Sequence, residues 1–176
     1  IDSIKNATVK VCFNTVAEPE QLKREGYDAV IAAIVAIPVI PPIPGIEQAV
    51  HATNTYGMEA ELGTELVVIG GGQVGCETAL HFARSGKKVT IIEMQQDLAP
   101  DASKTHRDDM IAEMEKEINL TGSTDARCIA ITTDSITYEK NHQTYHLSAD
   151  RVILAAGIKP KTEEADAFAG AAPVLR

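Results

Sequence analysis

The chain has 176 residues, of which 44% are hydrophobic and 23% charged, and its formal net charge is −9. That suits one or two globular domains able to bury a core without disulfide or metal staples. An acidic balance with no basic patch argues against nucleic acid or an anionic membrane as partner.

In chain order, Thr8 to Phe13 reads as a strand by content and partial alternation, closed by Asn14 and Thr15. Pro19 to Glu25 reads as a short helix, with Pro19 in its first turn and Gly26 as its stop. Asp28 opens Ala29 to Ala36, a nearly continuous apolar run that suits a strand covered on both faces of a parallel sheet. Extended to Ile40 the run is still too short to span a membrane, and Pro38 interrupts it. The four prolines of Pro38 to Gly45 make a semi-rigid connector, where a domain boundary is expected. Glu47 to Leu62 carries a weak helical signal.

The next stretch organises the rest. Val67-Val68-Ile69 runs into glycines spaced G-x-G-x-x-G at Gly70, Gly72 and Gly75. A helix from Gln73 follows, expected to bury Val74, Ala79, Leu80, Phe82 and Ala83, and after Gly86 comes a second apolar strand, Lys88 to Ile92, ending at Glu93. Gly70 permits the turn out of the strand, Gly72 lets a pyrophosphate approach the backbone, and Gly75 lets the helix pack on the sheet. Gly71, Gln73 and Val74 complete the loop, and the helix N-terminus offers N–H groups and a positive dipole end to phosphate. Glu93 stands where a carboxylate accepts from ribose hydroxyls, and it would repel a 2′-phosphate, which favours NAD over NADP.

Beyond Glu93, a polar loop from Gln95 to Ser103 leads to a helix expected over 104–118. Met110, Ile111, Met114 and Ile118 form its apolar face, read as core, and Thr105 with Asp108 forms a capping box. Three short strands then follow, Cys128 to Thr132, Ser135 to Tyr138 and Thr144 to Leu147, joined by turns at Asp134 and Lys140-Asn141-His142, as in an antiparallel meander. Asp150 to Pro160 repeats the form of Asp28 to Pro38: acid, apolar run, proline. The segment from Thr162 to Arg176 is alanine-rich and polar, with no closing strand expected.

Cys12, Cys76 and Cys128 are scattered without a C-x-x-C, so they form neither a redox pair nor a zinc or cluster framework, and a reduced, cytoplasmic setting is expected. No signal peptide is read. Cys76 stands at a helix N-terminus, where its thiol pKa is open to lowering, although simple packing is the plainer reading. His51, His81, His106, His142 and His146 show no ligand spacing on one element, so no metal site is expected. Tryptophan is absent and aromatics are 4%, leaving no ready flavin-stacking surface within the chain.

Two acid–apolar–proline segments flanking a glycine-rich βαβ unit resemble the two-dinucleotide-binding-domain flavoproteins, the pyridine nucleotide–disulfide oxidoreductase superfamily. The segment GGGQVGCETALHFARSGKKVTIIEM is especially similar to the NADH:flavin oxidoreductases that include 2,4-dienoyl-CoA reductase and 2-enoate reductase. The resemblance runs from Val9 to Arg176. It implies an α/β fold: a Rossmann-like NAD(H)-binding domain with a β-meander over 64–157, flanked by partial segments of an FAD-type domain over 1–63 and 158–176. Carried over by position, Gly70, Gly72 and Gly75 hold pyrophosphate, Glu77 lies near the nicotinamide, Glu93 binds ribose, and Gly157 lies beside the cleft. One departure is Val35, where the first apolar motif usually carries glycine.

The FAD fingerprint itself is absent, and the first residue is Ile1, so a fragment of a longer chain is expected. The resemblance further implies NAD(H) in this chain and FAD in the intact parent, with FMN, an iron–sulfur cluster and a barrel domain outside this chain. No catalytic side-chain constellation is read, since nicotinamide and flavin carry the hydride chemistry themselves. Glu77 is open to two readings, orienting the carboxamide or favouring the helix dipole. The expected function is positioning nicotinamide for hydride transfer to FAD in an enzyme reducing unsaturated acyl-CoA or enoate substrates, the fragment alone being inactive. An FAD-binding role for the Gly70 loop and a non-catalytic nucleotide-sensing module are the alternatives.

Overall fold

A computed structural model describes residues 9–172 and the backbone of 174–175. The chain divides into two compact units: 37–159, and a smaller one formed by the residues up to 36 with those from 160 onward.

In the smaller unit, α1 (Pro19–Glu25) begins on Pro19 and stops at Gly26, whose φ of 71° is the left-handed cap that glycine adopts freely. β1 (Val30–Ile31) is the only strand within the long apolar run. The expected doubly covered strand over 29–36 is therefore not formed: Ile31 and Val35 are exposed, and pairing is limited to two residues. Val9 to Phe13 are likewise irregular, with Val9, Val11 and Phe13 exposed and no ladder partner among the described residues; Thr8 lies outside the described residues. Apolar content without a neighbouring strand does not suffice for a sheet.

The larger unit opens with β2 (Ile37–Pro38). A 3₁₀ turn, Ile46–Gln48, leads to β3 (Val50–His51), and a second, Ala52–Asn54, follows, in place of the expected helix over 47–62. Next come β4 (Glu65–Ile69), α2 (Gln73–Arg84), β5 (Lys88–Ile92), α3 (Lys104–Met114) and β6 (Leu120–Ser123). The meander is β7 (Ala126–Ile131), β8 (Ser135–Lys140) and β9 (Gln143–Ser148). β10 (Arg151–Leu154) and β11 (Ile158–Lys159) close this unit. In the smaller unit the chain resumes with α4 (Thr162–Asp166), and β12 (Val174–Leu175) pairs in parallel with β1. A closing strand thus exists where none was expected.

The main sheet has the order β3-β10-β4-β5-β6, parallel throughout. Its central strand explains its own sequence. Leu66 and Val68 face α2 and α3, packing with Phe82, Ala79 and Met110. Val67 and Ile69 face the meander, packing with Ala126, Ile131 and Ile136. Both faces are covered, so the strand reads as an unbroken apolar run. The meander is antiparallel, and the β8–β9 turn at Asn141 and His142 has positive φ at both residues (50° and 61°), as a two-residue hairpin turn requires.

Two helix expectations are corrected in detail. α3 stops at Met114, four residues early, and Ile118 is fully exposed rather than core. Its N-cap is Ser103 with no side-chain cap bond, so Thr105 and Asp108 form no capping box; Asp108 instead pairs with Lys104 at 2.8 Å. Val74, expected in the core, is 49% exposed, because the first turn of α2 faces open space beyond the sheet's carboxyl edge.

Candidate functional site

β4 ends at Ile69 and the chain reverses over Gly70, whose φ of 105° is closed to ordinary side chains. A Cβ at Gly70 would overlap the carbonyl of Ala155, and one at Gly75 would overlap the carbonyl of Gly70. Both glycines therefore let α2 start directly against β4 and β10. Gly72 differs: its φ is −67°, and the nearest atoms to a Cβ there would be the Asp101 carboxylate oxygens, at 3.3 and 3.4 Å, the end of an exposed side chain rather than backbone. Its missing side chain keeps the space above the helix N-terminus clear rather than relieving strain.

Glu93 follows β5 and turns inward, 6% exposed. Its Oε2 accepts from Gly71 N–H at 2.5 Å and its Oε1 from Gln95 N–H at 2.7 Å. The carboxylate thus ties the glycine loop to the end of β5. Each oxygen keeps a second lone pair, and the residue lines the cleft.

That cleft has a volume of about 940 Å³ and lies wholly within the larger unit, at the upper end of ligand-pocket sizes, ~300–1,000 Å³. Its floor is the carboxyl edge of the sheet at Ile69, Gly70 and Ile92, and its far end is Ala155, Ala156 and Gly157. The proline-rich segment at Pro41 to Ile43 and the first meander strand at Ala126 to Cys128 supply the walls. Gly157 has a φ of 96°, and a Cβ there would touch nothing within 4 Å, so conformation rather than crowding favours glycine. Its carbonyl accepts from Val39 N–H at 3.0 Å, holding β2 to the β10 exit.

The structure gathers Gly70, Gly72, Val74, Glu93 and Gly157 around this cleft. Gly71 is buried under the loop, and Gln73 opens α2. Glu77 sits apart from the lining: its Oε1 accepts from Gln73 Nε2 at 3.0 Å and pairs with His106 Nε2 at 3.0 Å, facing α3. Cys76 is fully buried, donates to Gly71 O at 3.3 Å, and burial pushes its thiol up to about 12, opposite to the lowering a helix N-terminus suggests. With the thiol uncharged, desolvation outweighs the dipole.

Two cleft residues escape a sequence reading. Asp101 sits in the polar loop before α3, yet its Oδ1 accepts from Gln73 N–H at 2.8 Å. His51 ends β3; its Nδ1 accepts from Thr53 N–H, and its Nε2 is buried without a hydrogen-bond partner among the described residues. Neither carries a spacing signal, since a loop brings Asp101 to the glycines and the pairing of β3 with β10 brings His51 to the cleft.

Residues 2–173 match the family model described as pyridine nucleotide-disulphide oxidoreductase. Among curated relatives, bilirubin reductase of Mediterraneibacter gnavus is 33% identical over 95% of this chain and 26% of its own length. NADH oxidase of Thermoanaerobacter brockii is 33% identical over 92% and 26%, and cinnamate reductase of Clostridium sporogenes 29% over 88% and 24%. The chain spans about a quarter of these relatives. Among solved structures, 2-naphthoyl-CoA reductase superposes with a TM-score of 0.83 at 24% identity, over 99% of this chain and 27% of that one. That identity bears on fold alone. An NAD-dependent persulfide reductase from A. fulgidus gives a TM-score of 0.61 at 29% identity, over 81% and 28%.

Proposed function

The chain belongs to the pyridine nucleotide-disulphide oxidoreductase family, whose enzymes use NAD(H) and FAD, and on that footing we propose that its cleft binds NADH and presents the nicotinamide to a flavin held elsewhere in a larger oxidoreductase. The observation that carries this reading is the glycine loop at the carboxyl end of β4, open at Gly72 and tied to Glu93 at the end of β5.

In this reading the pyrophosphate lies over Gly72 and accepts from the first-turn N–H groups of α2, where the helix dipole favours an anion. Glu93 accepts from the adenosine ribose hydroxyls through its remaining lone pairs, and its charge disfavours a 2′-phosphate. The adenosine half lies toward β5 and the nicotinamide half toward β10 and Gly157, on the two sides of β4, whose border with β10 is the switch point of the sheet. When bound, the nicotinamide supplies a hydride. The chain's own residues bind, orient and cover it, and none is assigned a proton-transfer step. The name of one relative, cinnamate reductase, supports a conjugated acid as substrate of the parent enzyme.

The test is titration with NADH and NADPH, read by the cofactor's own fluorescence, against a background free of tryptophan. Saturable binding of NADH, weaker for NADPH and lost in Gly72→Val, is the expected result. A Cβ at 72 would stand 3.3 Å from the exposed Asp101 carboxylate, which must turn aside, so the loss is read on a variant whose ligand-free Tm matches that of the unsubstituted chain. Equal binding of both nucleotides would remove the role given to Glu93. Binding that survives Gly72→Val would remove the site.

A further inference from the structure

The helix N-terminus that a pyrophosphate would use already holds an anion. The Asp101 carboxylate accepts from Gln73 N–H at 2.8 Å. It also lies 3.3 and 3.4 Å from where a Cβ on Gly72 would stand. It thus fills the space that Gly72 keeps open, at the mouth of the cleft, and is itself exposed.

The loop that carries it is firmly held except at this side chain. Ala99 N–H donates to Gly71 O at 2.6 Å, Arg107 Nε donates to Leu98 O at 2.7 Å, and Arg107 Nη2 pairs with Asp97 at 3.1 Å. Arg107 of α3, the cation that meets this loop, is therefore engaged by Asp97 and Leu98, while Asp101 has the helix N–H. Rotation of one exposed side chain vacates the seat without moving the loop.

We propose that Asp101 is an internal stand-in for a ligand phosphate. In the free protein it caps α2, and an incoming pyrophosphate must displace it, so this residue sets the affinity of the site for diphosphate-bridged nucleotides. One N–H cannot serve two anions at hydrogen-bond distance, and a carboxylate left beside a pyrophosphate repels it. The inference rests on the NADH reading of the cleft.

The test titrates the full chain and its Asp101→Ala, Asp101→Asn and Asp109→Asn variants with NADH and with ADP-ribose, which keeps the pyrophosphate and lacks nicotinamide. Melting of each variant without ligand accompanies the titrations. In Asp101→Ala both ligands should bind about tenfold tighter, the order expected for removing one like charge and one competitor at a helix N-terminus. Asp101→Asn, which still accepts from Gln73 N–H but is neutral, should show a smaller gain. The Tm of Asp101→Ala should fall by a few degrees, because a helix cap is lost. Affinity and stability then move in opposite directions, whereas a purely structural cap lowers both.

Unchanged or weaker binding in Asp101→Ala overturns the proposal while leaving the NADH reading intact. An equal gain in Asp109→Asn, an exposed acid of α3, reduces the effect to general charge and also overturns it. Binding of neither ligand by the parent or by Asp101→Ala overturns the NADH reading and the proposal together.

Discussion

Glu93→Gln keeps the shape of a side chain that holds two backbone groups at once. The carboxylate accepts from Gly71 N–H at 2.5 Å and from Gln95 N–H at 2.7 Å, at a residue only 6% exposed. An amide has a single oxygen, so one of these N–H groups must face an NH₂ donor. The surviving bond loses its charge assistance, worth about 1 kcal/mol, and the orphaned N–H costs about 1–3 kcal/mol. The sum of roughly 2–4 kcal/mol corresponds to a fall in Tm of about 4–16 °C for a chain of this size, at ~2–4 °C per kcal/mol. Circular-dichroism melting with no nucleotide present measures it, and NADH titration below the lowered Tm follows. Both stability and NADH affinity should fall. An unchanged Tm would refute the reasoning, because it would mean that the two contacts do not hold the loop.

In Gly75→Ala, the new methyl would overlap Gly70 O and lie 3.4 Å from Ala155 Cβ. Lifting α2 should cost ~1–3 kcal/mol, offset in part by ~1 kcal/mol of helix propensity, so a lowered Tm and lost NADH binding are expected. Iodoacetamide at pH 8 should label exposed Cys12 in the native protein. Cys76, pushed up to about 12 by burial, and Cys128, raised for the same reason, should react only after denaturation, as mass spectrometry would reveal. The Asp150 carboxyl is held below its ordinary value by the N–H groups of Glu65 and Thr64 and by the Thr64 hydroxyl. A pKa depressed by folding adds stability above the ordinary carboxylate pKa, and that stability is lost as pH falls through the folded value. Acid titration of Tm should therefore be flatter in Asp150→Asn than in the parent below about pH 4, and parallel curves would count against the role.

The parts of this fold that could be read directly are those whose signals are local. Val67 to Ile69, the three glycines, α2 and Glu93 announce themselves because turn geometry and burial on both faces dictate residue type over a few positions. The meander was legible for the same reason, from short β-rich runs set between turn residues. What escaped depends on distant partners. Ala29 to Ala36 has the composition of a central strand, but a strand needs neighbours, and Val30 and Ile31 alone find them, in Val174 and Leu175. Ile118 keeps the helical spacing of Met110 and Met114 yet follows the helix's end and points outward. At the site, Asp101 reaches the cleft through a loop and His51 through the pairing of two-residue β3 with distant β10, and no spacing encodes either.

The order of strands also sets a timetable for synthesis. β10 inserts between β3 and β4, pairing with Val50 and His51 on one side and with Leu66 to Ile69 on the other. On a ribosome adding ~5–20 residues per second, the interval from Ile69 to Arg151 lasts roughly 4–16 s. Throughout it β3 has no ladder, and one edge of β4 offers bare N–H and C=O groups to any passing strand. A chain truncated before Arg151 should be held by chaperones or aggregate, whereas one extended past Leu154 can seal its own sheet. The strand that joins the two halves of the cleft is the last of its sheet to leave the ribosome.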